Sequence, residues 1–210
     1  MTSNGISTAG SGLSYLALGD SYTIGQSVNS NERFPYYITS SLRQLGLKIT
    51  DPDYIATTGW TTQNLLDAIR ARGTFGPFDI VTLLIGVNDQ YQHLDTAGYR
   101  IRFTQLLNRA IELTGNRKDR AFILSIPDYS ATPFVPAPNK QKVSEEIDQF
   151  NKINKEITIE RGVAYIDITP LTKAAANDPS LLANDGLHYS GKEHQLWAEK
   201  ATPVIYKVLQ

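Results

Sequence analysis

Tyr15-Leu16-Ala17-Leu18-Gly19-Asp20-Ser21-Tyr22 runs from an apolar segment through a glycine to a serine. An apolar run closed by glycine reads as a buried strand. Glycine at the strand end allows a sharp turn through φ values that other residues resist. The turn delivers Ser21. In an open parallel sheet, ligands bind in the crevice beyond the carboxyl ends of the strands. A serine at that place is either a nucleophile or a polar turn residue, and taken alone the turn residue is the plainer reading.

The remaining elements repeat the pattern. A helix is expected from about Pro35 to Leu45, stopped by Gly46. Lys48 to Ala56 reads as a second strand, irregular at Asp51-Pro52, and Thr57-Thr58-Gly59 as a turn. Thr61 or Thr62 can cap a short helix with Leu65, Leu66 and Ile69 on one side. Asp79 to Ile85 is a continuous branched run, as in a central parallel strand buried on both faces. Gly86-Val87-Asn88-Asp89 closes it, and a helix follows with Tyr99, Phe103, Leu106, Ala110 and Leu113 at helical spacing.

Ala121 to Ile126 is the fourth strand and Pro127 to Asn139 a proline-rich loop. A helix carrying Val143, Ile147, Phe150, Ile153 and Ile157 ends at Gly162. Val163 to Ile168 is the fifth strand. The last helix starts at Ser190, with Glu193 completing a capping box. Strands alternating with helices predict a five-stranded parallel sheet with right-handed crossovers and helices on both faces. We take the strand order as 2-1-3-4-5, which places Ser21, Gly59 and Asn88 around one crevice.

The 210 residues suit one large domain over 13–210, after a Ser/Thr/Gly/Asn-rich lead-in, Met1 to Gly12. A hydrophobic content of 41% and a charged content of 20% are ordinary for a soluble globular chain. The net charge of −1 gives no reason to expect a nucleic acid or an acidic membrane as partner. The chain has no cysteine, which excludes disulfides, thiolate catalysis and cysteine zinc sites. No signal-peptide core or membrane-spanning window is seen, so a cytoplasmic location is the default and a mature secreted or periplasmic chain the alternative.

If Ser21 is a nucleophile it needs a base, a partner that orients the base, and donors for an oxyanion. Of the histidines, His93 and His194 are expected to be solvated surface residues. His188 differs, because Asp185 precedes it by three residues across a glycine turn and can fold back onto the imidazole. His188 also lies before a helix N-terminus, whose dipole disfavours imidazolium. A metal reading of Asp185, His188 and His194 fails, since the histidines lack the i, i+4 pairing that puts ligands on one helix face. Singly, Gly59 is a turn glycine and Asn88 a strand-end Asx turn. Asp20 is expected to brace the turn and Asp89 to tie the loop after strand three.

Taken together, Gly19-Asp20-Ser21-Tyr22, Gly59, Gly86-Val87-Asn88-Asp89 and Asp185-Gly186-Leu187-His188 resemble the ordered blocks of the SGNH (GDSL) hydrolases, from about Tyr15 to the last helix. The resemblance implies a three-layer flavodoxin-like fold and cofactor-free hydrolysis of carboxylic esters. It implies that Ser21 is the nucleophile, His188 the base and Asp185 its orienting partner. The Ser21 N–H, the Gly59 N–H and the Asn88 side chain would be the oxyanion donors. Tyr22 and Tyr189 stand where leucine and proline are frequent in the family, which bears on substrate contacts and not on mechanism.

The same site would serve an acyltransferase with an alcohol or sugar acceptor, and a non-catalytic binding module on this fold is the third reading. Tyr129 and Phe134 join Tyr22 and Tyr189 as candidate substrate contacts. The loop holding Phe134 and Val135 either anchors to the core or walls an acyl pocket suited to a small, short-chain ester.

Overall fold

The computed structural model describes residues 12–210, so the expected lead-in lies outside the described residues except for Gly12. Five strands form one parallel sheet in the order β2-β1-β3-β4-β5. They are β1 (Tyr15–Gly19), β2 (Asp53–Ala56), β3 (Ile80–Leu84), β4 (Ala121–Leu124) and β5 (Ala164–Ile166). Every residue of β1, β3 and β4 is buried, as their apolar runs require. Gly19 is in register with Ala56 on one side and Leu84 on the other. The chain therefore leaves β1, β2 and β3 at one level of one edge, and this register gathers the site.

Helices cover both faces. On one, α2 (Phe34–Gln44) packs on α8 (Gly191–Leu209). On the other, α3 (Thr62–Arg72), α5 (Thr96–Leu113) and α6 (Lys140–Glu160) pack in series. Thr61 caps α3 in a reciprocal pair with Asn64. Short helices α1 (Ser21–Ile24) and α4 (Val87–Tyr91) follow β1 and β3, and α7 (Thr169–Thr172) follows β5. No described helix is long and apolar enough to cross a membrane.

The structure corrects several expectations. The second strand is confined to Asp53–Ala56, with Ile49 making an isolated bridge to Leu13. Pro52, which has no N–H to give to a ladder, lies between them. Asn88 is not in a strand-end Asx turn but in α4, which the expected order of elements lacks. The Ser190–Glu193 capping box does not form. The Ser190 hydroxyl bonds the Ser180 carbonyl at 2.7 Å, and Glu193 accepts from the Trp197 indole N–H at 2.7 Å. A buried indole needs an acceptor, and that need outweighs a local cap.

Gly19 is not at a positive φ either. A Cβ there would instead run into the Thr23 side chain and the Leu84 carbonyl, so glycine is required for closeness and not for conformation. His93 is exposed as expected, but His194 is 1% exposed and belongs to the core. Its ring stacks on Phe34 and tilts against Trp197, with centroids 6.2 and 4.6 Å away. Its Nδ1 accepts the Phe34 N–H at 3.2 Å. Phe34 opens α2, where a helix leaves its first N–H groups without internal partners.

Burial pushes the His194 imidazole down to about 3, and the neighbouring charges of His188 and Arg33 add to the effect. In the unfolded chain a histidine protonates near pH 6.5. The neutral buried ring therefore contributes its full stability above about pH 6.5, and the contribution is lost as pH falls toward 3. His194→Gln keeps an acceptor for the Phe34 N–H but cannot titrate. Urea midpoints between pH 7 and 4 are expected to fall less in the variant than in the wild type. Equal losses would show that His194 is not held neutral by folding.

Candidate active site

Ser21 is the first residue of α1, directly after the Gly19-Asp20 exit from β1. Asp20 is fully buried and caps α1, its Oδ1 accepting the Tyr22 N–H at 3.0 Å. Its other oxygen has no partner among the described residues. Burial pushes its carboxyl up to about 8, opposed by the Tyr22 N–H and reinforced by Asp89. A group in this state holds a turn and does not serve as a base at neutral pH. The Thr23 and Ile24 N–H groups go to the Asp20 carbonyl, while no described residue takes the Ser21 N–H.

Gly59 follows β2 at φ +84°, a conformation that favours glycine, and no described residue takes its N–H. The side-chain nitrogen of Asn88 donates one hydrogen to the Trp60 carbonyl at 3.0 Å. That bond ties α4 to the Gly59 loop and leaves the second amide hydrogen free to point elsewhere. Asp89 is fully buried, accepting the Thr62 N–H at 2.8 Å and the Thr62 hydroxyl, and pairing with Arg102 at 3.2 Å. It thus joins α4 to α3 and α5 and fixes the level of Asn88.

Asp185 and His188 come from the turn before α8. The His188 Nδ1 lies 2.7 Å from Asp185 Oδ2. The backbone N–H groups of Leu187 and His188 both donate to Asp185 Oδ1 at 2.9 Å, so the carboxylate closes the turn it stands on. The Ser27 hydroxyl donates to Oδ2 at 2.5 Å. Partial burial pushes the Asp185 carboxyl up, but Ser27, the two N–H groups and the imidazole outweigh it and hold the group well below the usual carboxylate range. Asp185 is therefore ionised at any working pH, and with Nδ1 engaged by the carboxylate, Nε2 is the nitrogen left to meet other partners.

Ser21, Gly59, Asn88 and His188 border one cleft of about 160 Å³. Asp185 stands behind His188. The rest of the wall is Tyr22, Thr58, Val87, Tyr91, Tyr129, Phe134 and Leu187, mostly apolar. Phe134 is 45% exposed and packs beside Tyr91 and Tyr129, with centroids 6.1 and 6.4 Å apart, whereas Val135 is buried. One loop residue thus anchors and its neighbour lines the cleft. Tyr189 does not line it. Its ring is fully buried against Tyr22 and Trp197 and its hydroxyl donates to the Asp128 carbonyl at 2.8 Å, so it is a core residue and not a substrate contact. Ser27 and the Trp60 carbonyl were not expected from sequence. Both lie in polar loops whose residue types carry no signal of their partners.

Comparison with solved structures finds the same fold. A lipase/acylhydrolase from Enterococcus faecalis is 16% identical with a TM-score of 0.73, covering 93% of this chain and 96% of that one. An acetylxylan esterase from Geobacillus stearothermophilus is 20% identical with a TM-score of 0.70, covering 93% and 95%. A member of the lipolytic G-D-S-L family from Veillonella parvula is 19% identical with a TM-score of 0.70, covering 92% and 98%. Comparison with curated protein sequences finds no significant match. The model of the GDSL-like lipase/acylhydrolase family matches residues 17–196, nearly the whole described chain, and with the blocks around Ser21, Asn88 and His188 inside that span the chain belongs to this family of hydrolases.

Proposed function

We propose that this chain cleaves carboxylic esters through an acyl-enzyme, with Ser21 as nucleophile, His188 as general base and Asp185 as its orienting partner. The observation that carries the reading is the His188 ring, bound through Nδ1 to Asp185 and bordering the cleft that Ser21, Gly59 and Asn88 share. In the first half-reaction Ser21 Oγ attacks the ester carbonyl carbon while His188 Nε2 takes the hydroxyl proton. The carbonyl oxygen becomes an oxyanion. The Ser21 N–H, the Gly59 N–H and the second hydrogen of the Asn88 amide are the donors for it. Collapse breaks the bond to the alcohol, and His188 returns the proton to the leaving oxygen. In the second half a water replaces the alcohol, His188 takes its proton, and the acid leaves as Ser21 recovers a proton.

Hydrogen bonds to a developing charge act only if the donors are already in place. Here α1 is fixed by Asp20, and Asn88 by the Trp60 carbonyl and by Asp89. Ser21→Ala is expected to abolish turnover of an activated ester with little change in melting temperature. Asn88→Ala is expected to lower kcat by about 10²–10³-fold with little change in KM. A change confined to KM would make Asn88 a substrate-positioning residue.

The substrate is proposed to be a small ester with a short acyl chain. What supports this is the apolar wall of the cleft, where Phe134 stands with Tyr91 and Tyr129 along one side in the path of an extending acyl chain. On p-nitrophenyl esters of rising chain length, kcat/KM is expected to fall with length in the wild type. In Phe134→Ala the optimum is expected to move to longer chains. Identical profiles would remove Phe134 from the acyl wall.

A further inference from the structure

Ser27 sits at φ +67°, a left-handed conformation that costs a residue with a Cβ and would suit glycine. Such an outlier invites a functional reading. The residues before it explain how it is held. Gly25 ends α1 in the left-handed region, and the Gln26 N–H bonds the Ser21 carbonyl at 2.9 Å. The Gln26 side-chain oxygen accepts the Thr58 hydroxyl at 2.7 Å, next to Gly59. This short segment therefore touches the nucleophile's helix and the Gly59 loop, and its next residue reaches Asp185.

We propose that Ser27 is a positioning residue of the catalytic machinery, whose hydroxyl fixes Asp185 against His188 and shares its charge. The proposal rests on reading Ser21, His188 and Asp185 as the triad. The Ser27 hydroxyl and the imidazole both meet Asp185 Oδ2, while the backbone N–H groups occupy Oδ1. With Ser27 present, four donors surround one carboxylate and its plane is set from both sides. Without it, Oδ2 keeps only the imidazole, and more negative charge is left to hold a proton on His188. The other titratable groups near the pair are Tyr22 of α1, whose ring lies 5.8 Å from that of His188, and His194 of α8. Glu32 is nearby in sequence, with its carboxylate taken by Asn29.

Ser27→Gly separates the hydroxyl from the backbone, because glycine accepts this φ without strain. If serine served only the turn, the variant would be as active as the wild type. The proposal predicts that kcat/KM at pH 7 falls about 3- to 10-fold, as for loss of a hydrogen bond to a charged group that is partly solvated. It predicts that the acid limb of the kcat/KM profile moves to higher pH by about 0.5, while the melting temperature is unchanged or raised. Ser27→Ala is expected to move the limb in the same direction at a lower melting temperature.

An unmoved acid limb, with or without a loss of rate, would overturn the role of Ser27. His188→Ala separates the two readings in the same assay. If it abolishes turnover and Ser27→Gly leaves the profile unmoved, only the Ser27 assignment falls. If it retains wild-type turnover, the triad falls and the Ser27 proposal falls with it.

Discussion

Helix α1 lies against the ends of β1 and β3 at a distance that only a glycine allows. A Cβ at Gly19 would collide with the Thr23 side chain and the Leu84 carbonyl, so the helix carrying Ser21 can lie on the strand end only because the residue before Asp20 has no side chain. Register then does the remaining placement. Gly19, Ala56 and Leu84 are level across the sheet, so the loops that follow them open on one cleft. Sheets buried on both faces tolerate no slip of register, because a one-residue slip would carry polar loop residues inward and pull apolar strand residues out. The cleft is thus a consequence of the core.

Around it, polar side chains work in pairs that hold backbone in place. Asp20 secures α1, Asp89 joins α4 to α3 and α5, and Asn88 reaches the Trp60 carbonyl. Asp185 closes its own turn before it meets His188. Preorganised donors need no rearrangement when charge develops, which is where electrostatic catalysis gains most. A fully buried carboxylate such as Asp89 is costly in isolation and tolerable because Thr62 and Arg102 are arranged around it in advance.

The alternation of strands with helices and the Asp185–His188 pair were legible in the sequence. The first follows from long apolar runs separated by helical periodicity, and the second from a contact three residues apart, whereas the strand order was taken as the common one and agrees with the sheet observed. What was not legible depends on partners far away in the chain. Ser27 and Asp185 are 158 residues apart, and nothing in a polar loop marks one serine among several. His194 reads as an ordinary helix histidine until α2 presents the Phe34 N–H to it. Tyr189 follows His188 in sequence, yet the Asp128 carbonyl and the Trp197 ring draw it into the core. Glu193 fits a local capping motif, and the buried indole of Trp197 claims it first.

The proposed acyl-enzyme requires one serine, at the end of β1, to become covalently acylated. Incubation with a fluorophosphonate, followed by digestion and mass spectrometry, identifies that residue. A single adduct is expected, on Ser21, whose formation slows when a short-chain ester competes. An adduct on a different residue, or ester turnover that persists with Ser21 unmodified under excess reagent, would contradict it.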